Sequence, residues 1–565
     1  MPTLFGQGEG NIVPAVIGKA GTDTAESQNL CMRGNSRCEN REIPSALRTS
    51  PPGDMRGRSA NLSEGKADMN ADGKSDEFVV PSTQANKAGS EPDTESVEGR
   101  NSAKRNVGTS DPDRTPKRTK RGSLGLAGVR ETARAQPKLQ FTSLLHHVNV
   151  DLLRTAFFAL KKTAAVGVDE VTWHDYEQGL DDRLADLHGR VHRGAYRAKP
   201  SKRIYLTKPD GRQRPIGIAA LEDKIVQKAV VVVLECIYEQ DFLGFSYGFR
   251  PGRSQHPALD ALNAALTSRK VNWIVDADVA GFFDTIDHEW LIKFLEHRIG
   301  DQRILRLIGK WLRAGVSEDG EWSETNVGTP QGAVISPLLG NVFLHYVLDL
   351  WIRWWRKQES RGDVVVIRYA DDFVIGFERK AEAEACLEEL RDRFAKFGLK
   401  LHDTKTRMME FGRHAAERRT TRGEGRPETF GFLGFTHRCG VTRSHGWFTI
   451  HRASIGKRMR AKLADLKAKL RQRLHLPIGM NGRWLRSVLQ GWLNYHAVPG
   501  NMRRLQQFRQ ALGRLWLQQL RRRSQRSRWT WQRMYQLMER HLPSPRILHP
   551  YPDKRFRARL NAGAV

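Results

Sequence analysis

Residues 364–377 read VVVIRYADDFVIGF, in which two apolar, β-branched runs flank two adjacent aspartates. Runs of this composition predict two buried strands joined by a tight turn, so the chain must build a sheet around this hairpin. The turn carries Asp371 and Asp372, whose like charges raise each other's pKa when they lie close together. Divalent cations would neutralise them, and Mg²⁺ prefers carboxylate oxygens. An ordinary Asp-rich turn is an equally good interpretation of the doublet alone.

A second acidic strand favours the metal interpretation. In residues 271–283, VNWIVDADVAGFF, period-two alternation places Asp276 and Asp278 on one face of a buried strand. One of these carboxylates beside the hairpin doublet would complete a site for two Mg²⁺ ions about 3.5–4 Å apart. Such a pair would activate a primer 3′-hydroxyl, stabilise the in-line phosphoryl transfer to it and neutralise the leaving pyrophosphate. Spacing alone does not choose between the two aspartates.

Helical and strand-like patterns alternate around these two segments. A strand is predicted at 202–208, before a Pro209-Asp210-Gly211 turn. Helical periodicity predicts helices at 144–162, at 221–242, at 381–398 and directly after the GTPQG loop of 328–332. The mixture predicts an α+β domain built on a sheet.

Residues 1–140 have the composition of a disordered segment. Phe5 and Phe78 are their only aromatics, and the rest is rich in Ser, Thr, Gly, Asn, Pro and charge. Because so little apolar surface could be buried, we predict that this extension is largely disordered. Its basic run at 114–121 is better interpreted as a solvated linker than as an RNA contact.

The compartment can be predicted from what the sequence lacks. The five cysteines are scattered and form no C-x-x-C or zinc-finger spacing, which fits a reducing compartment and argues against structural zinc. The start of the chain has neither the basic nor the apolar region of a secretory signal, and no run of about eighteen apolar residues occurs. We therefore expect a cytoplasmic protein with no membrane partner.

Most of the positive charge lies near the C-terminus. The chain has a formal net charge of +30, and residues 451–565 hold 27 Lys and Arg against three acids, a net of 27 − 3 = +24. Their periodicity is helical, and residues 501–530 contain nine arginines and no acid. A solvated helix face usually carries acidic partners four residues away, and none is present here. The pattern therefore indicates a phosphate-binding surface whose affinity falls steeply with salt.

Seven blocks, in this order, resemble those of group II intron-encoded reverse transcriptase/maturases. They are KRIYLTKPDGRQRPIGI (202–218), GFSYGFRPGRSQHPAL (244–259), DADVAGFFDTIDH (276–288), GTPQGAVISPLLGNVFLHYVLD (328–349), RYADDFVIGF (368–377), GLKLHDTKTRMMEF (398–411) and FGFLGF (430–435). The resemblance runs from about residue 141 to the C-terminus. It implies a right-hand-like α+β polymerase, with fingers and an antiparallel palm sheet in 141–440 and a basic, α-helical thumb/maturase region in 441–565.

The resemblance also implies the metal site. It selects Asp278 over Asp276, because an aromatic follows at the fifth position, so that Asp278, Asp371 and Asp372 would hold two Mg²⁺ ions. That aromatic, Phe283, would lie beneath the sugar of the incoming nucleotide and exclude a 2′-hydroxyl. A plain core position is its alternative.

Other matching residues would contact the nucleotide or the primer. Lys208 and Arg214 would grip the triphosphate, with surface charges as the alternative, and Gln331 would pack near the incoming dNTP. Lys405 would be the general acid for pyrophosphate departure, with simple phosphate binding as the alternative. The FGFLGF block resembles a primer-gripping hairpin. From position alone, Asp284 and Asp287 are predicted to cap the next helix.

The block GWLNYHAVPGN (491–501) resembles the maturase region of the family. Trp492, Tyr495 and His496 are therefore predicted to stack on unpaired RNA bases, while buried contacts between helices are the alternative for each ring. The predicted phosphate contacts are Arg503, Arg504, Arg521, Arg522 and Arg523. The tryptophans at 351, 354 and 355 are predicted to be core residues instead.

Together these patterns predict an RNA-directed DNA polymerase that also binds its group II intron RNA, promotes splicing and supports retrohoming. Its expected partners are intron RNA, an RNA template, a DNA primer or target, and dNTPs. After Cys439 the chain has no cysteine, so no H-N-H endonuclease with cysteine pairs is expected. We expect a ribonucleoprotein in the cytoplasm of a bacterium, and the sequence does not determine its oligomeric state. The alternatives are a reverse transcriptase of another class, such as a retron, diversity-generating or defence enzyme, and a splicing factor without polymerase activity.

Overall fold

The computed structural model describes residues 125–207, 213–318, 320–442, 444–524, 526 and 528–555. Within these ranges no helix combines the length and apolar character needed to cross a bilayer. Cys236, Cys386 and Cys439 are free thiols, and Cys31 and Cys38 lie outside the described residues.

The strands of the described part form three sheets. Their bounds are β1 Ser201–Thr207, β2 Gln213–Ile218, β3 Trp273–Asp278, β4 Val316–Glu318, β5 Glu321–Ser323, β6 Val364–Tyr369, β7 Asp372–Phe377, β8 Arg407–Glu410, β9 Phe430–Phe432, β10 Phe435–Val441 and β11 Phe448–Ser454. The sheet orders are β2-β1-β4-β5, β6-β7-β3-β8 and β11-β10-β9. All pairings of the β6-β7-β3-β8 sheet are antiparallel, which confirms the predicted hairpin and the predicted acidic strand beside it.

Helices surround these sheets and continue beyond them. Their bounds are α1 Gly125–Ala135, α2 Val150–Ala159, α3 Trp173–Glu177, α4 Leu180–His192, α5 Leu221–Asp241, α6 Gln255–Ser268, α7 Phe282–Thr285, α8 His288–Glu296, α9 Gln302–Leu312, α10 Ser336–Leu344, α11 Leu350–Gln358, α12 Lys380–Lys396, α13 Ala415–Thr421, α14 Gly456–Gln472, α15 Ile478–His496, α16 Met502–Arg521 and α17 Trp531–His541. The long helix predicted after the GTPQG loop is α10 and α11, joined by a π-helical turn at His345–Asp349. The fold is thus the expected α+β mixture.

The central sheet buries one face against helices. Val275, Ala277 and Val279 alternate with the aspartates of β3 and are almost fully buried, so the apolar side of the strand faces the core, as the alternation predicts. Trp351 and Trp355 of α11 are also buried there, which confirms their predicted core role. The opposite side of β3 is left to carry the two carboxylates.

The C-terminal helices form a core of their own. Apolar residues of α16 recur at helical spacing, and Leu505, Phe508, Leu512 and Trp516 are almost fully buried against the neighbouring helices. This stripe explains how an arginine-rich segment folds, because the guanidiniums occupy the remaining faces of the helix. The predicted boundary at 440/441 falls at the end of β10, inside the β10–β11 hairpin, and the helices begin at Gly456.

Two predictions of local structure are wrong in part. The segment 144–162 is not one helix. A 3₁₀ turn at Leu145–His147 ends first, and α2 then begins after Asn149, whose side chain accepts a hydrogen bond of 2.8 Å from the backbone N–H of Leu152. The apolar residues on both sides of Asn149 keep helical spacing, so the pattern did not reveal the break. Asn149 caps the second helix without interrupting that pattern.

The predicted disorder of residues 1–140 is wrong at its C-terminal end. Residues 1–124, including the basic run, lie outside the described residues, but α1 and the segment after it are ordered against the main body. The buried guanidinium of Arg298 donates to the backbone carbonyls of Gln136 at 3.1 Å and Leu139 at 2.6 Å. Composition misled here because the stabilising group comes from a residue far along the chain.

Candidate active site

The turn between β6 and β7 places the aspartate doublet at one end of the central sheet. Ala370 adopts a left-handed backbone with φ 58°, which is unfavourable for a residue with a side chain. The fully buried guanidinium of Arg368 supports it by donating to the Ala370 carbonyl at 3.1 Å. Arg368 is fixed in turn by two bonds to the Asp349 carboxylate, at 2.7 and 2.5 Å, and by one of 2.9 Å to the Asn341 side chain. The doublet therefore stands on a rigid, buried support.

The sheet register brings Asp278, and not Asp276, to the doublet. Asp278 of β3 lies directly opposite Asp372 of β7. Asp276 lies two residues back, opposite Val374, and its carboxylate is 3.8 Å from the guanidinium of Arg407. Spacing had left this choice open, and the structure supplies the pairing that separates the two residues.

Burial and like charges perturb these carboxylates. Burial, followed by the charges of Asp371, Asp278 and Asp276, raises the pKa of Asp372 to about 7. Burial also raises the pKa of Asp371, with a further contribution from Asp278. Arg214 and Lys405 oppose that rise, so both cations lie close enough to act on the doublet. Without a cation the site therefore holds a proton close to neutral pH.

The Asp278 carboxylate forms an ion pair with the ammonium of Lys405. The loop that carries the lysine is anchored to the same strand, because the backbone N–H of His402 donates to the Asp278 carbonyl at 2.8 Å. The structure thus brings Lys405 into the site as predicted, with its side chain half exposed. An ammonium in this position can reach a group bound at the carboxylates and can also occupy the place of a cation.

The donor set fits divalent cations, although it is not arranged as a finished cage. Within the described ranges, no three Asp, Glu, His or Cys side chains converge tightly enough to be recognised as a metal cluster. The three aspartates nonetheless act on one another electrostatically across paired strands. Divalent ions such as Mg²⁺ prefer hard carboxylate oxygens as ligands. A bound divalent ion would stabilise the ionised form of carboxyl groups whose pKa is raised. Cation binding at Asp278 would require the ammonium of Lys405 to move aside.

Gln331 of the GTPQG loop hydrogen-bonds both Arg214 and Asp284. The Gln331 side chain accepts a hydrogen bond of 2.8 Å from Arg214 and donates to both carboxylate oxygens of Asp284 at 2.8 Å. Asp284 is therefore a partner of Gln331, and the prediction that it caps the next helix is wrong. Asp287 does cap α8, accepting from the Trp290 N–H at 2.9 Å. The other predicted triphosphate contact, Lys208, lies outside the described residues, as does the turn at 209–211.

Phe283 lies between this loop and the core. Its carbonyl accepts a hydrogen bond of 2.7 Å from the Thr329 N–H, and its ring is only partly buried. The neighbouring Phe282 is buried, with the two rings 5.1 Å apart and edge to face. Gly340 of α10 makes room for both rings, because a β-carbon there would lie 3.0–3.1 Å from them. Phe283 is thus partly exposed, while Phe282 belongs to the core.

The aromatic residues of the maturase-like block make internal contacts. The Trp492 ring stacks on Phe508 at 4.2 Å, and the Tyr495 hydroxyl donates to the Leu433 carbonyl at 2.8 Å. His496 is only 8% exposed and lies 3.0 Å from the Ser454 hydroxyl. These contacts join α15 to α16 and to the FGFLGF hairpin. They are of the kind expected from the alternative interpretation, in which the rings pack between helices. Base stacking by these rings is still a prediction.

The predicted arginines differ in how they are held. Arg503 and Arg522 are exposed, and Arg504 hydrogen-bonds the Gln507 side chain at 3.1 Å. Arg521 and Arg523 donate to the carbonyls of Trp529 at 3.0 Å and Leu476 at 2.7 Å. These last two therefore brace the surface, while Arg503 and Arg522 present free charge to solvent.

Two exposed aromatics nearby were not predicted. Trp531 is 39% and Tyr535 58% exposed, with their rings 5.7 Å apart on α17. Met534 and Met538 fix the helix by packing into the core, which turns the two rings outward. Their spacing of four residues could have indicated that the two rings share one face of a helix. It could not have indicated that this face is exposed to solvent.

Comparison with known proteins identifies the family. The protein-family model described as "Reverse transcriptase (RNA-dependent DNA polymerase)" matches residues 206–437, which contain all three aspartates. The chain belongs to the reverse transcriptase family. Within that family, it belongs with the group II intron-encoded reverse transcriptase/maturases, on the evidence of its intron-encoded relatives and its seven sequence blocks.

Three relatives define this placement. Protein YkfC of Escherichia coli K12 is 36% identical over 254 residues, which are 40% of this reverse transcriptase and 67% of the relative. The group II intron-encoded protein LtrA of Lactococcus lactis subsp. cremoris is 40% identical over 186 residues, 32% of this chain and 31% of LtrA. The mitochondrial nuclear intron maturase 2 of Arabidopsis thaliana is 32% identical over 187 residues, 26% of this chain and 25% of that protein. The chain therefore spans about two thirds of YkfC and under a third of LtrA.

Proposed function

We propose that this chain synthesises DNA on an RNA template with two Mg²⁺ ions at Asp278, Asp371 and Asp372, and that it binds its group II intron RNA to promote splicing. The observation that carries the polymerase half is the register of Asp278 opposite Asp372, beside a turn held by a buried arginine. The family match and the intron-encoded relatives support both halves.

Each residue of the site then has a task that its position allows. When bound, the two Mg²⁺ ions would activate the primer 3′-hydroxyl and stabilise charge on the transferring phosphoryl group. Arg214, held by Gln331, would bind the triphosphate through its guanidinium. The Lys405 ammonium is placed to hold the leaving pyrophosphate or to give it a proton. The residues flanking the catalytic aspartates thus supply the positive charge that the reaction needs.

The partly buried ring of Phe283 is proposed to select the sugar. Replacing it with alanine removes the surface that would exclude a 2′-hydroxyl, so incorporation of ribonucleotides relative to deoxynucleotides should rise roughly 10- to 100-fold. Single-nucleotide incorporation kinetics with matched dNTP and NTP pairs measure this ratio. Phe283→Tyr is the control, because it keeps the ring and should stay near wild type. An unchanged ratio in a folded Phe283→Ala protein would assign the ring to the core alone.

Cation binding should depend on pH because of the Asp372 carboxyl. Burial and neighbouring carboxylates raise its pKa to about 7, and only the ionised form is a good ligand. Mn²⁺ affinity should therefore be greatest above pH 7 and fall by up to about tenfold for each unit below it. Electron paramagnetic resonance of free Mn²⁺ at several pH values tests this. Affinity that stays constant between pH 6 and 8 would contradict the assignment.

The splicing half rests on the basic C-terminal helices. Residues 451–565 carry a net charge of 27 − 3 = +24, and Arg503 and Arg522 are exposed there. RNA is the polyanion that relatives named as intron maturases suggest. Trp531 and Tyr535, exposed on α17 of the same region, can stack on unpaired bases. We place the protein in a ribonucleoprotein, with fingers and palm at 141–440 and a thumb/maturase region at 441–565.

Two assays on the purified chain test the two halves separately. Extension of a DNA primer on an RNA template, with Mg²⁺ and dNTPs, should occur and should stop when the template is omitted. The intron that surrounds the reading frame should splice faster with the protein than without it. Extension without any effect on splicing would favour a reverse transcriptase of another class, and splicing without extension would favour a splicing factor alone.

A further inference from the structure

A groove of about 600 Å³ lies at the opposite end of β6 from the aspartate turn. Small alanine and serine side chains of α6 form one wall, and the first residues of β6, the edge strand of the central sheet, form another. Since β6 rises about 3.3 Å per residue, the groove lies on the order of 16 Å from the doublet. It is therefore separate from the site described above.

The groove is lined by three guanidiniums and one carboxylate. Arg269, Arg356 and Arg361 contribute side chains, and Asp363 is the one acid among the lining residues that the structure describes. Arg269 lies 3.6 Å from that carboxylate. Within the described ranges, no carboxylate forms an ion pair with Arg356 or Arg361. Among the lining side chains, guanidiniums therefore outnumber carboxylates by 3 − 1 = 2.

Arg356 makes this excess costly. Its side chain is partly buried, and burial together with the charges of Arg353 and Arg269 lowers its pKa. A solvated surface arginine would avoid both the burial and the like charges. An anion bound in the groove would stabilise the partly buried Arg356, because opposite charge at short range is what stabilises a desolvated cation.

Two nearby carboxylates, of Glu378 and Glu382, bind backbone N–H groups of the groove-lining loop. Glu382 accepts a hydrogen bond of 3.0 Å from the Arg361 backbone N–H, and Glu378 accepts one of 3.0 Å from the Asp363 N–H. These bonds fix the loop between α11 and β6, so the arginines project from a defined backbone. The carboxylates thus shape the loop and leave the guanidiniums available.

We propose that this groove binds phosphodiester groups of structured RNA, as an anchoring site distinct from both the aspartates and the C-terminal helices. The proposal rests on the RNA binding proposed above. A guanidinium fork matches two phosphate oxygens, and small wall residues let a backbone approach closely. The volume exceeds what a single free phosphate needs, which favours a continuous phosphodiester chain. An acidic peptide is the competing ligand.

The test is a comparison of two double variants with equal charge loss. Arg356→Gln with Arg361→Gln removes groove charge, and Arg306→Gln with Arg391→Gln removes the same charge from exposed positions elsewhere. The probes are a blunt RNA duplex, inorganic phosphate and poly-glutamate, with affinity measured over a series of KCl concentrations. Each lost duplex phosphate contact lowers the slope of log affinity against log salt by about 0.9.

The groove variant should lose about 1.8 from the RNA slope and roughly 10-fold or more in affinity, while the control variant stays close to wild type. Equal losses in the two variants, or none, would overturn the proposal, as would a loss confined to poly-glutamate. A change in inorganic phosphate binding without a change for RNA would assign a free-phosphate site and also overturn it. Arg361→Gln alone, at an exposed position, repeats the test if the double variant folds poorly. Primer extension on a pre-annealed substrate at saturating concentration should survive in the groove variant, so failure of this proposal is distinguishable from failure of the polymerase.

Discussion

Asp278→Asn should reduce DNA synthesis by about 10³-fold or more while leaving the fold intact. The change keeps the size and shape of the side chain but removes the charge that lies opposite Asp372 across the β3–β7 pair. Metal ions contribute several kcal/mol to phosphoryl transfer, and each 1.4 kcal/mol is a factor of ten in rate. Steady-state primer extension at saturating dNTP, with an unchanged thermal melting curve, measures the effect.

The matched control is Asp276→Asn, on the same strand and the same face. Asp276 pairs with Arg407 and lies opposite Val374, whereas Asp278 lies opposite Asp372. Its replacement should change the rate by no more than a few-fold. If Asp276→Asn were as damaging as Asp278→Asn, the register assigned to this strand would be the wrong guide to the metal ligands.

Removing Arg503 and Arg522 together should weaken RNA binding in a salt-dependent way. Both side chains are exposed in a region with 27 basic and three acidic residues, so each is expected to contact one phosphate. Changing both to Gln should lower the slope of log affinity against log salt by about 1.8 on duplex RNA, and lower affinity roughly 10-fold or more at low salt. Filter binding over a KCl series measures both quantities.

The same charge removed at Arg306 and Arg391 serves as the control for this pair. If the C-terminal helices hold the RNA, that control should leave the slope and the affinity near wild type. Losses of equal size in the two variants would mean that RNA responds to net charge alone. The C-terminal assignment would then have to be abandoned.

The hairpin could be predicted because its information is local. β-branched runs on both sides of a tight turn specify strands wherever the chain places them, and period-two alternation specifies which side chains of β3 face inward. Choosing Asp278 needed the pairing of β3 with β7, whose residues lie almost a hundred positions apart. Register is a tertiary property, and only the family resemblance supplied it in advance.

Polar partners that lie far apart along the chain could not be predicted from the sequence for the same reason. Arg368 appeared only as the first residue of the RYADDFVIGF block, yet it is fully buried on Asp349 and holds the turn. Asp284 was assigned a helix cap from its position, whereas its carboxylate faces Gln331, 47 residues away. A charge pattern along the chain does not show which distant group will be folded against it.

The aromatic residues of the C-terminal region show a related limit. The maturase-like block drew attention to Trp492, Tyr495 and His496, but packing covers most of these rings. Trp531 and Tyr535 lie in a less distinctive segment and are exposed. Periodicity indicates which residues share a face of a helix, and only the neighbouring elements decide whether that face is covered.

Primer extension by the wild-type chain and by the double variant Asp371→Ala, Asp372→Ala, on an RNA template with Mg²⁺ and dNTPs, tests whether this aspartate pair carries DNA synthesis. We expect template-dependent DNA synthesis by the wild type and none above background by the folded double variant. Synthesis that survives loss of both carboxylates would contradict this expectation.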